Sequence, residues 1–222
     1  MISLREIDRA KYIVILTSKN SFADASALYT YILRLHKKVS IVNESQNIDT
    51  KLSFLPWFDK LRNIVPSSAD LVIDLDLEKE SLCSLFKSNA ITINQKMATA
   101  LYAGLLQRFD SFVSGGVDGT TFALVSELIK QGADYKLCNK FMMKRTSLST
   151  LRLKAVMLKN MLLINDSKAA LFYLSDDDLN ASGADLDEAY EIMKEGLSLP
   201  YVEMAILISS EKRILKLITE EI

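Results

Sequence analysis

Short apolar segments that alternate with amphipathic helices constrain this fold more than any other feature of the sequence. The run YIVIL (12–16) is apolar throughout, and similar runs lie at 39–42 and 71–76. The segment after the first run has one apolar helical face, made of Phe22, Ala25, Leu28, Tyr29, Ile32 and Leu35. Buried strands separated by helices are typical of a parallel sheet with crossover connections, so we predict an α/β fold.

The middle of the chain continues this alternation. We predict a loop with a short helix over 54–64, then helices over 79–86, 95–107 and 120–131. Asp118 or Thr120 is the expected N-cap of the last of these helices, and Gly132 is expected to end it. The preceding turn, SGGVDGTT, could bind an anion at the helix N-terminus, but it matches neither common phosphate-binding fingerprint. A plain loop before a capped helix is the favoured interpretation.

The last third of the chain predicts a second, smaller α/β domain. Residues 136–163 are expected to form one long helix, because apolar residues repeat at spacings of three and four. That stripe comprises Leu148, Leu151, Ala155, Leu158 and Leu162. A strand (169–174), a turn with three aspartates, a helix (186–197) and two strands (202–208 and 213–218) follow. We place the domain boundary inside the long helix, which gives domains 1–145 and 146–222.

Composition excludes several classes of function. The chain has 27 basic and 28 acidic residues, so its net charge favours neither nucleic acid nor a membrane surface. His36 is the sole histidine, which excludes a multi-histidine metal site and a Ser-His-Asp triad. Cys83 and Cys138 are expected to be buried free thiols. Because we find neither a secretory signal nor a membrane span, we expect a cytoplasmic protein.

Charge is distributed unevenly along the second half. Residues 135–165 contain seven basic side chains and no acidic one, whereas 176–195 contain eight acids and one lysine. Lys136, Lys140 and Lys144 are predicted to share one helix face. The two segments are either two solvated faces, which is the favoured interpretation, or a basic wall that could hold a phosphate or an acidic partner.

Six stretches together resemble one known family. They are LTSKNSFADASALYTYIL, FLPWFDKLRN, ADLVIDLD, INQKMATALYAGLL, TTFALVSELIKQGADY and DDDLNASGADLDEAYEIM. In this order and spacing they are similar to the DHH phosphoesterases, specifically the bacterial-type branch of nanoRNases and phosphoadenosine-phosphate phosphatases. The resemblance covers nearly the whole chain. It implies a truncated Rossmann-like parallel sheet followed by a truncated DHH-associated domain.

The resemblance also implies a chemistry, namely hydrolysis of phosphoester bonds with two divalent ions, usually manganese, on histidine and aspartate ligands. Carried over position by position, the family's ligands are only partly kept. Asp24 and Asp76 stand at aspartate positions, and Asp74 and Asp110 are acidic neighbours of ligand positions. The substituted positions are Ser18 for a histidine and Phe22 and Arg108 for aspartates.

Two further family features are missing from residues 1–222. The Asp-His-His motif should follow LVIDLD, but the segment from Lys79 to Thr92 contains no histidine. The Gly-Gly-Gly-His segment that grips the substrate phosphate in the family also has no counterpart. The resemblance therefore implies a degenerate member. No cofactor is expected, although two carboxylates could bind magnesium or manganese weakly.

Three functions follow from these observations. The first is a pseudoenzyme that acts as a binding or interaction scaffold, as a homodimer or with another protein. The second is binding of a nucleotide or short RNA, with Tyr135 and Phe141 as stacking candidates. The basic residues that would contact a phosphate or a protein partner are Lys136, Lys140, Lys144 and Arg145. The third is residual phosphoesterase activity that uses Asp24, Asp74, Asp76 and Asp110.

Overall fold

A computed structural model describes residues 2–45, 48–77, 81–113, 116–144, 146–211 and 213–219. The chain divides into two compact units, Met1–Arg145 and Thr146–Ile222. The predicted fold class, a parallel α/β sheet followed by a smaller α/β unit, is confirmed. Among the described helices, none combines the length and apolar character needed to cross a lipid bilayer.

The first unit is built around a four-stranded parallel sheet. Its strands are β1 (Tyr12–Leu16), β2 (Lys38–Val42), β3 (Leu61–Arg62) and β4 (Leu71–Asp74). The strand order is β3-β2-β1-β4, and β1 pairs with β2 and β4 in parallel. Central β1 is almost wholly buried, as its unbroken apolar run predicts. The short strand β3 lies in the segment that was predicted to be loop and helix.

The described residues of the first unit also form six α-helices. They are α1 (Leu4–Arg9), α2 (Phe22–Arg34), α3 (Leu82–Ser88), α4 (Gln95–Arg108), α5 (Gly119–Lys130) and α6 (Tyr135–Asn139). Helices α2 and α4 bury most of their residues in the main core. Asn94 and Asp118 cap α4 and α5 by accepting backbone N–H donors, and Gly132 has a φ of 91°, which glycine adopts without strain.

The described residues of the second unit form three α-helices, a 3-10 helix (Lys194–Ser198) and a mixed sheet. Its elements are α7 (Leu148–Lys159), β5 (Leu162–Ile164), β6 (Ala169–Leu174), α8 (Asp176–Ser182), α9 (Leu186–Met193), β7 (Met204–Ser209) and β8 (Ile214–Thr219). The strand order is β5-β6-β7-β8, with β6 and β7 parallel and both outer pairs antiparallel. Side chains of β6 and β7 form a separate buried cluster with α7 and α9.

The prediction of a single long helix over 136–163 is wrong. Helix α6 runs into a π-helical turn (Lys140–Lys144), and α7 begins separately, with Ser147 as a side-chain N-cap. Beyond α7 the chain forms β5 instead of more helix. Asn165 and Asp166 have φ values of 54° and 52°, so they make the tight turn that returns the chain into β6. A local cap and a local turn thus interrupt a continuous apolar stripe.

The three aspartates predicted to lie in a turn are the first turn of α8 instead. Ser175 and Asp178 form a reciprocal capping box, in which each side chain accepts the other residue's backbone N–H. Asp176 and Asp177 stand at the positive end of the helix dipole, where carboxylates are favourable. Gly183, at a φ of 71°, ends the helix.

Candidate functional site

Three strand ends meet at the carboxyl edge of the parallel sheet, where open α/β sheets usually bind ligands. The Thr17 N–H donates to the Val42 carbonyl, so the end of β1 lies beside the end of β2. On the other side, the Leu75 N–H donates to the Leu16 carbonyl, which places the end of β4 there too. This edge is the candidate functional site of the first unit.

The turn between β1 and α2 satisfies its own polar groups. The hydroxyls of Thr17 and Ser21 are 2.9 Å apart, and the Ser18 N–H donates to the Ser21 hydroxyl over 3.0 Å. Ser21 is the N-cap residue of α2, but its side chain makes no capping hydrogen bond. The Gln107 side-chain amide donates to the Lys19 carbonyl over 2.7 Å, which ties the end of α4 to this turn.

Ser18 and Asp76 contact each other at this edge. The Ser18 hydroxyl donates to Asp76 Oδ1 over 2.8 Å, and the Asp76 N–H donates to Asp74 Oδ1 over 3.0 Å. The structure therefore brings together Ser18, Asp74 and Asp76, three of the residues that the sequence singled out. Asp76 is exposed to solvent, whereas Asp74 is half-buried.

Asp24 forms an ion pair with Arg108. Arg108 Nη2 lies 3.2 Å from Asp24 Oδ2, and 22% of the Asp24 side chain is exposed against 48% of the Arg108 side chain. Burial raises the pKa of Asp24, and the positive charge of Arg108 offsets part of that rise. A side chain at Gly104 would meet Asp24 Oδ1 at 3.3 Å, so the carboxylate is also closely packed.

Phe22, at a family ligand position, is part of the hydrophobic core. Its side chain is completely buried, and its ring packs edge-on against Phe58 with the ring centroids 5.5 Å apart. An aromatic ring cannot supply a lone pair to a divalent cation, so this position contributes packing and no metal ligand.

The remaining sequence candidates do not join this group. Asp110 lies in the exposed turn after α4 at a φ of 42°. Lys136 and Lys140 are exposed, and they occupy an α-helix and the π-helical turn that follows it. Arg145 and the side chain of Lys144 lie outside the described residues. His36 is exposed just beyond the end of α2.

The residues at this edge do not fit the two-metal centre that the resemblance implies. Within the described ranges, no three histidine, cysteine or acidic side chains are placed to hold one ion. Asp24 is paired with Arg108, whose positive charge would repel a cation, and Asp76 accepts a hydrogen bond from Ser18. Two-metal catalysis needs a clamp of several hard ligands, so no catalytic step can be derived for these residues.

Sequence reasoning missed two residues of the site. Asn43 follows β2 directly and is buried; its Oδ1 accepts hydrogen bonds from the N–H and hydroxyl of Ser45, while Nδ2 has no partner within the part of the chain described. A polar residue at the end of an apolar strand was the available signal. Burial raises the pKa of the Cys83 thiol, and the negative charge of Asp24 raises it further, an arrangement that no sequence pattern indicates.

A groove of about 340 Å³ lies on the open side of β4. β4 is the last strand of the sheet, and none of the described residues forms a strand on its outer side. The lining residues are Ile2, Ser3, Glu6, Leu71, Val72, Ile73, Asp74 and Leu77. An edge strand with unpaired backbone groups beside apolar side chains can accept an additional strand.

Comparison with known proteins identifies the fold. No family model matches the sequence, and no curated protein matches it. Among solved structures, an exopolyphosphatase-related protein from Bacteroides fragilis matches with a TM-score of 0.77 at 15% identity, over 98% of this chain and 82% of that chain. This chain shares that fold. A putative family II inorganic pyrophosphatase from Methanococcus jannaschii matches with a TM-score of 0.35 at 12% identity, over 89% of this chain and 83% of that chain, and adds nothing on the fold.

Proposed function

We propose that this chain is a degenerate DHH-type protein of the nanoRNase-like branch, a cytoplasmic binding or interaction scaffold without hydrolytic activity. The ion pair between Asp24 and Arg108 is the observation that carries the proposal. In a phosphoesterase, the carboxylates at this edge must be free to bind cations. Here the carboxylate of Asp24 is paired with the guanidinium of Arg108 from the neighbouring helix, and a metal ion would have to displace that guanidinium.

Two further observations support the proposed loss of hydrolytic activity. Phe22 fills a family ligand position with a packed ring, and Ser18 uses its hydroxyl to hold Asp76. The Phe22 ring is packed and the Ser18 hydroxyl is hydrogen-bonded, so neither side chain needs a ligand. This is expected at positions where the choice of residue depends on packing and no longer on metal binding. The groove beside β4 gives such a scaffold a surface on which a partner strand could bind.

Metal titration together with a hydrolysis assay tests the proposal. Manganese is titrated into the protein by calorimetry, and cleavage of a labelled dinucleotide and of pyrophosphate is followed in the same samples. We expect no saturable heat and no metal-dependent turnover. Turnover that disappears in the Asp24→Asn, Asp76→Asn double variant would overturn the proposal and establish residual phosphoesterase activity. Turnover that survives this double substitution comes from elsewhere in the chain, which would also overturn the proposal, or from a contaminating enzyme, which a second purification step should remove.

Binding of a nucleotide or short RNA is the second candidate. Exposed Lys136 and Lys140 lie close in sequence to the partly exposed ring of Tyr135, and cations beside an aromatic ring are typical of single-strand binding. Phe141, the other stacking candidate, already packs on Phe54 with the ring centroids 4.8 Å apart. Anisotropy of a labelled dinucleotide should increase with protein and fall with salt if this candidate holds, and the Tyr135→Ala variant should weaken binding.

A further inference from the structure

The sheet of the second unit has two very different faces. On the inner face, Phe172 and Leu207 pack into one cluster with residues of α7 and α9, including Leu153 and Met193. Successive residues of a strand point to opposite sides, so the residues between these belong to the outer face. Leu171 and Ile206, the nearest of them, belong to none of the buried clusters of the described chain.

A row of branched aliphatic residues crosses all four strands on the outer face. Leu162 pairs with Leu171, Leu171 with Ile206, and Ile206 with Leu217, so the four residues are neighbours across the sheet. The two ends of this row are well exposed, with 61% of Leu162 and 48% of Leu217 accessible to solvent. Contiguous exposed apolar surface of this kind usually marks an interaction site.

The residues on either side of this row extend the same apolar surface. Tyr173 pairs with Ile208 and Ile208 with Ile214, while Ile164 and Met204 both pair with Ala169. None of the paired outer positions in the described strands carries a side chain that is charged at neutral pH. Lys216 lies on the inner face, where its ammonium group is 5.6 Å from the ring centre of Tyr190.

We propose that this outer face is the interface with a second copy of the chain, formed by stacking the two sheets face to face. Two identical uncharged faces meet without repulsion and without burying an unpaired charge, which a charged partner surface could not do. A two-fold axis brings the same patch of both copies together, so the aliphatic row of one copy packs on that of the other. Two sheets that pack face to face lie about 10 Å apart.

The size of the face fits a weak dimer. Three strands of six residues and the three residues of β5, at about 3.3 Å per residue and about 4.8 Å between strands, give a projected area of roughly 330 Å² per copy. Side chains that stand up from the sheet increase the accessible surface beyond this projection. The total for two copies therefore stays below about 1,200 Å², in the range of weak, transient interfaces. We accordingly expect dissociation in the micromolar range.

This inference deepens the proposed scaffold role by naming its surface, and sedimentation velocity of the full chain tests it. Over about 1–100 µM, the wild type should shift from monomer to dimer. Ile206→Lys places a charge at the centre of the face and should leave a monomer throughout. Leu217→Lys, at the exposed end of the row, should weaken the dimer by at least about tenfold without affecting folding. Phe122→Lys, which alters a residue 54% exposed in the first unit, is the matched control and should dimerise like the wild type.

A wild type that stays monomeric up to the highest concentration would overturn the proposal. Dimerisation that survives both Ile206→Lys and Leu217→Lys would also overturn it. Hydrolysis assayed in the same samples separates this result from the proposed function. A dimer with metal-dependent turnover would contradict the proposed loss of catalysis and support the interface. A monomer without turnover would support the loss of catalysis and contradict the interface.

Discussion

Arg108, the last residue of α4, lies with its Nη2 3.2 Å from Oδ2 of Asp24 in the first turn of α2. The pair joins two helices that pack against each other at the candidate site. Burial raises the pKa of Asp24 despite its basic partner. Ionisation of Asp24 is therefore less favourable in the folded chain than in the unfolded chain, and this difference has measurable consequences.

Substitution of Asp24 by Asn should stabilise the chain at neutral pH. Because the pKa of Asp24 is higher in the folded chain than its ordinary value of 3.8, the folded state binds this proton more tightly than the unfolded state. Stability is therefore lost as the pH rises from 3.8 through the raised pKa. Asp24→Asn should remove this loss, so urea unfolding from pH 3.5 to 8 should show a flatter profile than the wild type.

Removal of Arg108 should have the opposite effect. In Arg108→Met, Asp24 loses the charge that lowers its pKa, so the free energy of unfolding at neutral pH should decrease. The same substitution in the Asp24→Asn background should have little effect, because no carboxylate remains to be paired. Equal losses of stability in both backgrounds would show that the ion pair contributes nothing.

Gly196 should tolerate no side chain. A β-carbon there would lie 2.9 Å from Ala170 Cβ and 2.9 Å from Phe172 Cε2, both in the core of the second unit. Gly196→Ala should therefore lower the free energy of unfolding of that unit by about 1–3 kcal/mol, the usual cost of overpacking. Gly119→Ala is the matched control, since nothing lies within 4 Å of the added carbon at the start of α5. Chemical denaturation should find the control neutral or slightly stabilised.

Asp118 should stabilise α5 in a pH-dependent way. Hydrogen bonds from the Thr120 hydroxyl and from the Thr121 N–H and hydroxyl lower the pKa of Asp118 to about 2. This stabilisation is complete above the ordinary value of 3.8 and is lost as the pH falls through about 2. Asp118→Ala should lower the melting temperature at pH 7 and progressively less as the pH approaches 2. Asp118→Asn, which keeps the capping acceptor, should stay closer to the wild type.

The elements that could be predicted from the sequence are those that one uninterrupted pattern specifies. The buried runs at β1, β2 and β4 and the apolar face of α2 identify the parallel sheet, since little else buries such runs. The predicted helix 136–163 fails because an apolar stripe carries no information about Ser147, which starts a new helix, or about the turn at Asn165. Short polar signals override a longer apolar period there.

The site is harder to predict, because its contacts join distant parts of the chain. Ser18 and Asp76 are 58 positions apart, and Asp24 and Arg108 are 84 positions apart. The resemblance to a family assigns each residue to a position in the family's motifs. It predicts neither the hydrogen bond between Ser18 and Asp76 nor the ion pair between Asp24 and Arg108. These depend on how α2 packs against α4 and on the register of β4 with β1. Asn43 was missed although it follows a predicted strand directly.

Both cysteines should be unreactive in the folded chain. Cys83 and Cys138 are buried free thiols, and burial raises the pKa of each to about 12. Since only the thiolate reacts with a disulfide reagent, labelling at pH 8 should follow unfolding of the chain. Both thiols should react at once in concentrated denaturant. Rapid labelling of one thiol in buffer would reveal local opening around that residue.

Phe22 should be essential for stability. Its ring is completely buried and packs on Phe58, so Phe22→Ala should lower the free energy of unfolding by about 3–5 kcal/mol. Phe122→Ala, at a ring that is 54% exposed and packs on Phe112 with the ring centroids 5.8 Å apart, should change it by no more than about 1.5 kcal/mol. Phe22→Asp introduces the carboxylate that the resemblance to the DHH phosphoesterases implies at this position, and it should destabilise the chain more than alanine does, because it buries a charge among apolar residues. A Phe22→Asp variant that folds normally and binds manganese would contradict this view, since it would mean that the ligand position is still open.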